Sequence, residues 1–268
     1  LIHGATAYGL WGLLPLYFHL IDQVDAGEIV AQRVLWSVVL LVPLVALLRR
    51  RGSLWQALRT PRVLMMLGAS AFLIAANWLI YVWAVLHHQV LAASMAYFLN
   101  PMLNIAMGVA LLREKLTRTQ GVAVLLAGAG VLVLAFGAGG GLWISLAIAM
   151  SFALYGLIRK LAPVEAFEGL TIETLLLAPV ALGYLFWLSG HGGVSFGQEA
   201  GLTALLVLAG AVTTVPLLLF AAAARELRMA TLGLLQFIAP SIQFVLAITL
   251  FGEHLDAQKL ASFALIWA

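Results

Sequence analysis

The residues best suited to chemistry in this chain are polar side chains set inside long apolar runs. The stretch Tyr97-Phe98-Leu99-Asn100-Pro101-Met102-Leu103-Asn104 carries a tyrosine, two amides and a proline. Tyr97, Asn100 and Asn104 are spaced i, i+3, i+7 and so share one helical face. Pro101 removes the hydrogen bond to the carbonyl of Tyr97, and backbone broken in this way is tolerated in hydrocarbon only against protein or a water-filled cavity. The device returns 139 residues later as Gln236-Phe237-Ile238-Ala239-Pro240 with Gln243. Tyr97 then corresponds to Gln236, Pro101 to Pro240, Asn104 to Gln243 and Glu114 to Glu253. Duplicated breaks of this kind mark secondary transporters, with Pro101 and Pro240 as gating points. The plainer alternative is that the amides bond across helices, worth about 0.6 kcal/mol each. Their clustering beside prolines favours a solute pocket.

Arg33 is a lone cation about 9 Å inside an apolar run, taking 1.5 Å per helical residue. A charge there costs about 2.5–3.5 kcal/mol to insert and is usually functional. It suits an anchor for a carboxylate or other acceptor on a solute, or a gate on the outer side; snorkelling or a structural bond is the alternative. Glu173 is the one carboxylate well inside a run, which suits protonation coupling. A bridge to Arg159 or Lys160 is its competing role. Asn77 and Tyr81 are i, i+4 neighbours, continued along the same helix by His88, a further gating candidate. With Tyr97, Asn100, Asn104, Gln236 and Gln243 they would form a lining of neutral hydrogen-bonding groups, walled by Trp11, Trp78 and Tyr155. Such a lining suits an amphipathic organic solute.

Enzyme chemistry finds no footing. With no cysteine there is neither a thiolate nucleophile nor a thiolate metal site. The histidines lack the i, i+4 spacing with a carboxylate that zinc requires, so neither a metal nor a cofactor is expected. The glycine-rich stretch 137–141 is not followed by the Gly-Lys-Ser/Thr of a phosphate loop.

The elements that must position these residues follow from composition. The chain has 268 residues, 64% apolar and 9% charged, with a mean hydropathy of +1.08. A soluble domain carries roughly a quarter charged residues, so this is an integral membrane protein with the bilayer as its partner. The pI near 9.5 does not indicate nucleic acid, because the basic residues sit between apolar spans. Apolar runs delimit ten helical segments, 2–21, 27–48, 62–86, 89–112, 119–136, 141–161, 166–189, 200–224, 228–251 and 257–268. The chain begins without methionine and ends inside the last segment, as the ordered part of a longer protein would.

Twelve of the fourteen Lys and Arg residues fall in alternate loops, at 49–62, 113–118, 159–160 and 225–228. By the positive-inside rule those loops and both termini are cytoplasmic. Five helices per half is an odd number, so residues 1–137 and 138–268 form two five-helix repeats inserted in opposite senses. Glu28 and Arg33 then correspond to Glu168 and Glu173, and Leu10-Trp11-Gly12-Leu13 to Leu154-Tyr155-Gly156-Leu157. Inversion sets Arg33 and Glu173 at opposite depths, where they would not pair. Leu54, Trp55 and Leu58 share a face among arginines and predict a short interfacial helix. Small residues in the fifth and tenth segments suit close packing within a monomer or at a homodimer face.

Several runs resemble the RarD-type permeases of the EamA group in the drug/metabolite transporter superfamily. They are Gln32-Arg33-Val34-Leu35-Trp36-Ser37, Asn77-Trp78 with Trp83-Ala84-Val85 and His88, and Ala96 to Pro101. Val212-Thr213-Thr214-Val215-Pro216-Leu217 and Leu232-Gly233 through Gln236 and Pro240 complete the set. The resemblance spans essentially the whole chain. It implies an all-α membrane fold of ten helices in two inverted repeats, a bacterial inner-membrane location and small-molecule transport. Gln32 departs from the pattern, which favours histidine there, and this weakens a proton role at that position. The expected function is a secondary transporter or exporter of amino-acid-like or drug-like solutes, such as chloramphenicol, alternating around a central cavity. An ion- or solute-conducting channel is the alternative, though one arginine at one depth supplies no ring of charges.

Overall fold

The computed structural model describes residues 1–86, 90–136 and 142–250. His88, Glu253, the stretch 137–141 and the proposed tenth segment 257–268 lie outside the described residues. Among the described residues all regular structure is helical. The order is α1 (Ile2–Gly12), α2 (Leu14–His19), α3 (Ala26–Leu47), α4 (Arg51–Arg59), α5 (Pro61–Leu86) and α6 (Val90–Ala110). It continues with α7 (Arg118–Phe136), α8 (Leu142–Leu161), α9 (Ala166–Gly190), α10 (Ala200–Glu226), α11 (Met229–Gln236) and α12 (Ile238–Thr249). Six stretches are long and apolar enough to cross a bilayer: α3, α8, α9, α10, most of α5, and α11 joined to α12. The chain is a multi-pass membrane protein.

Local chemistry sets the helix ends. Asp25 caps α3 by accepting from the backbone N–H of Gly27 at 2.9 Å and of Glu28 at 3.1 Å. Thr117 and Gln120 form a reciprocal capping box ahead of α7, each side chain accepting from the other's backbone N–H. Prolines act unequally. Pro43, Pro101, Pro179 and Pro216 are carried inside continuous helices. Ahead of Pro15 and Pro240 the helix breaks, at Leu13 and Phe237. The expected duplicate of Pro101 at Pro240 is therefore a real discontinuity, whereas Pro101 itself leaves α6 intact.

Helix α3 packs on α9 and α10, α5 on α8, α6 on α8 and α11, and α1 on α10 and α12. The core between them is aromatic. Tyr155 stacks on Phe220 with centroids 5.8 Å apart, and Tyr8, Trp11 and Phe152 pack around the same ring. Gly233 lets α11 meet α6 at its proline, since a Cβ there would stand 2.7 Å from the Pro101 carbonyl. Helix α4 confirms a short helix in the Arg49–Arg62 loop but not its three-residue face. Leu54 and Leu58 pack with buried Ala57 against Val63, Leu67 and Ile172. Trp55 is instead 61% exposed, with the Arg59 guanidinium 5.4 Å from its ring centre.

Candidate functional site

Arg33 lies on the face of α3 that meets α5 and α10. Its Nε donates to Thr213 Oγ1 at 2.7 Å, and its guanidinium sits 4.7 Å over the Trp78 ring. One turn of α3 is braced around it. Gln32 Oε1 accepts from Trp36 Nε1 at 3.0 Å, and Ser37 Oγ donates to the Arg33 carbonyl at 2.6 Å with the Gly210 carbonyl at 3.2 Å. Gly210 permits this approach, because a Cβ would stand 2.5 Å from the Trp36 backbone. Tyr17 and Tyr97 lie within electrostatic reach of the guanidinium. Tyr97 meets Tyr81 edge-to-face at 6.4 Å and is 36% exposed. A cation over an indole, held by a hydroxyl, keeps its charge and its remaining donors available for an acceptor.

Glu173 occupies a different cluster. Ser70 Oγ on α5 donates to its Oε1 at 2.5 Å, and Arg159 Nη1 on α8 stands 3.4 Å from the same oxygen. Arg159 Nη2 also donates to the Ala166 carbonyl at 2.9 Å, and Gly169 leaves room for the guanidinium. Arg159 and Glu173 are 1% and 2% exposed. This is the bridge to Arg159 foreseen as the alternative role. Lys160 turns away and donates to the carbonyls of Leu227 and Ala224. Arg33 and Glu173 make no ion pair with each other among the described residues.

The amides join helices. Asn104 Nδ2 donates to Gln236 Oε1 at 2.7 Å, linking α6 to α11. Asn77 Nδ2 donates to the Ile148 carbonyl at 2.7 Å and to Ser151 Oγ at 3.1 Å, linking α5 to α8. Gln243 Nε2 donates to the Trp11 carbonyl at 3.2 Å, the group that Pro15 strips of its helical partner. Asn100 is buried with its Oδ1 unpaired. Between these links is a central cavity of about 20 Å³, lined in part by Ser37, Trp78, Tyr155, Glu173, Thr213 and Thr214. That is room for about one water molecule. A drug-sized solute needs roughly 300–1,000 Å³, so this packing is a closed form of any solute pathway through the bundle centre. Trp78, Tyr155 and Glu173 reach the cavity, whereas Trp11 lies among the aromatic rings.

Sequence reasoning passed over several groups. Thr213 is the acceptor for Arg33. Ser70 joins Arg159 in holding Glu173, and its part was not foreseen. Glu114 caps α11, taking the N–H of Met229 at 2.8 Å and of Ala230 at 3.0 Å. Glu28 accepts from the N–H of Ser195 at 2.9 Å and of Phe196 at 2.9 Å, and its counterpart Glu168 accepts from Arg50 at 3.1 Å. The correspondence at 140 residues was the available signal for that last pair.

Residues 1–136 match the model of the EamA-like transporter family. Protein RarD of Escherichia coli (strain K12) is 47% identical over 263 residues, covering 98% of this chain and 89% of that protein. The chain belongs to the EamA-like transporter family. The uncharacterized transporter YojE of Bacillus subtilis (strain 168) is 40% identical over 270 residues, covering 100% of this chain and 90% of that protein. The chloramphenicol-sensitive protein RarD of Pseudomonas aeruginosa is 32% identical over 266 residues, covering 96% and 87%. A solved protein crystal structure superposes with a TM-score of 0.74 at 18% identity, over 99% of this chain and 93% of that one. This last likeness bears on the fold alone. By family and relatives the chain is a membrane transporter of the RarD-type EamA class rather than an enzyme.

Proposed function

We propose that this protein is a secondary transporter moving small organic solutes, amino-acid-like or drug-like, across the bacterial inner membrane by alternating access. Both termini are cytoplasmic, and ten spans form two inverted five-helix repeats, residues 1–137 and 138–268. Several pairings support that symmetry. Helix α1 packs on α10 as α8 packs on α5, and Glu28 and Glu168 each tie a helix of one half to a loop of the other. The observation that carries the functional reading is the Arg33 guanidinium held by Thr213 over Trp78. No carboxylate neutralises it among the described ion pairs, so a solute acceptor can.

In this reading Arg33 and Trp78 anchor the solute, and Tyr81, Tyr97, Asn77 and Asn100 complete the wall as the helices part. The Asn104–Gln236 bond and the Pro101–Gly233 crossing are the contacts that yield in alternation, with Pro240 as a hinge and Glu173 as the coupling carboxylate. Chloramphenicol heads the drug-like solutes because a relative is named for sensitivity to it. The test is counterflow of labelled chloramphenicol and amino acids into proteoliposomes, with current recorded in parallel. Saturable counterflow without ohmic current is expected. Ohmic current, or no movement of any solute in the set, would contradict the proposal.

A further inference from the structure

The basic loop between α3 and α5 leaves one face of α4 uncovered. Arg51, Trp55 and Arg59 are spaced i, i+4, i+8 and share that face, and all three are exposed. The opposite face is spent on the protein, where Leu54, Ala57 and Leu58 pack against Val63, Leu67 and Ile172. Arg49, just past α3, and Arg62, in the first turn of α5, stand exposed at either end of the helix. Of the five arginines from 49 to 62, Arg50 alone has a carboxylate partner among the described residues, Glu168 at 3.1 Å. Glu165, next to the Val164 that joins this packing, is taken by Arg225 at 2.7 Å. Four exposed cations are left to find a counter-ion outside the protein.

Their surroundings decide what that counter-ion is. Leu47 and Leu48, where α3 ends, and Met65, in α5, are exposed apolar residues. Both helices contain stretches long and apolar enough to cross a bilayer. The basic face of α4 therefore lies where hydrocarbon gives way to headgroups, and an exposed tryptophan belongs at that depth. The Arg59 guanidinium is held 5.4 Å from the Trp55 ring centre, stacked in a way that leaves N–H donors for phosphate oxygens. We propose that α4 is a binding site for the headgroup of an anionic phospholipid, with Arg51 and Arg59 on the phosphate and Trp55 beside the upper acyl chain. Arg49 and Arg62 add attraction from either end. A nucleic acid or acidic peptide would need this face to stand clear of the bilayer, whereas Leu47 and Met65 hold it beside lipid. The cytoplasmic leaflet follows from the proposed topology, but the site does not depend on transport.

Native mass spectrometry of the full chain in detergent, titrated with dioleoyl phosphatidylglycerol or dioleoyl phosphatidylcholine, tests this. The two lipids share their acyl chains and differ in headgroup charge. The wild type is expected to bind phosphatidylglycerol more tightly. A basic residue near the surface is worth roughly fivefold in binding, so Arg51→Gln with Arg59→Gln should weaken phosphatidylglycerol roughly tenfold or more and leave phosphatidylcholine unchanged. These side chains are exposed and the packed face of α4 is untouched, so the fold stays intact. Lys115→Gln with Arg118→Gln, which removes two charges from another basic loop, should keep the preference. Equal affinity for the two lipids in the wild type would overturn the proposal. So would a preference that survives without Arg51 and Arg59, or one that falls equally in the Lys115 and Arg118 variant. Displacement of the phospholipid by excess glycerol 3-phosphate or polyglutamate would assign the face to a free phosphate ester or an acidic peptide, and would overturn it too.

Discussion

Arg33 and Thr213 carry the account at the level of single residues. A charge-assisted hydrogen bond is worth about 1.5–3 kcal/mol, and about 1.4 kcal/mol is tenfold in affinity. Arg33→Ala should therefore weaken the apparent affinity for a transported solute by roughly ten- to a hundredfold, as measured by counterflow at several concentrations. Arg33→Lys keeps charge without the planar fork and should fall between the two. Asn104→Ala should abolish flux while the protein still inserts. It leaves Gln236 unpaired, at a cost of about 1–3 kcal/mol in thermal unfolding, and Gln236→Ala on top should add little. The residue types at these positions were visible in the sequence, since a lone arginine and paired amides stand out among apolar neighbours. Their partners were not. Nothing local tells Arg33 that it meets a threonine 180 residues away, or Glu173 that Ser70 joins the Arg159 bridge.

Helices and their ends form the next scale. Binary apolar patterning located the six stretches long enough to cross a bilayer, because hydrocarbon demands long apolar helices. It said less about prolines, whose effect depends on what satisfies the carbonyl they free. Pro101 stays inside α6, whereas Pro240 follows a break at Phe237. The Trp11 carbonyl, opened by Pro15, is met by Gln243 from another helix. The crossing of α6 and α11 depends on Gly233. Gly233→Val should force the helices apart and destabilise by about 1–3 kcal/mol, read as a lower unfolding temperature in detergent. Glu114→Ala removes the cap of α11 and should cost about 0.5–2 kcal/mol, while Glu114→Gln, which keeps an acceptor oxygen, should cost less.

At the scale of the whole molecule, the basic loops and the proposed inverted halves make one topological prediction. A cysteine at Trp55 on α4 should react with an impermeant thiol reagent only from the cytoplasmic side, and one at Gln198 only from outside. The absence of native cysteine makes both readouts unambiguous. Alternating access itself is tested most directly by Thr213→Cys, beside Arg33 at the bundle centre. In right-side-out and inside-out vesicles the account predicts labelling from both sides. It also predicts that a thiol cross-link between Asn104→Cys and Gln236→Cys on α6 and α11 confines labelling to one side. Labelling from a single side with or without the cross-link would contradict it.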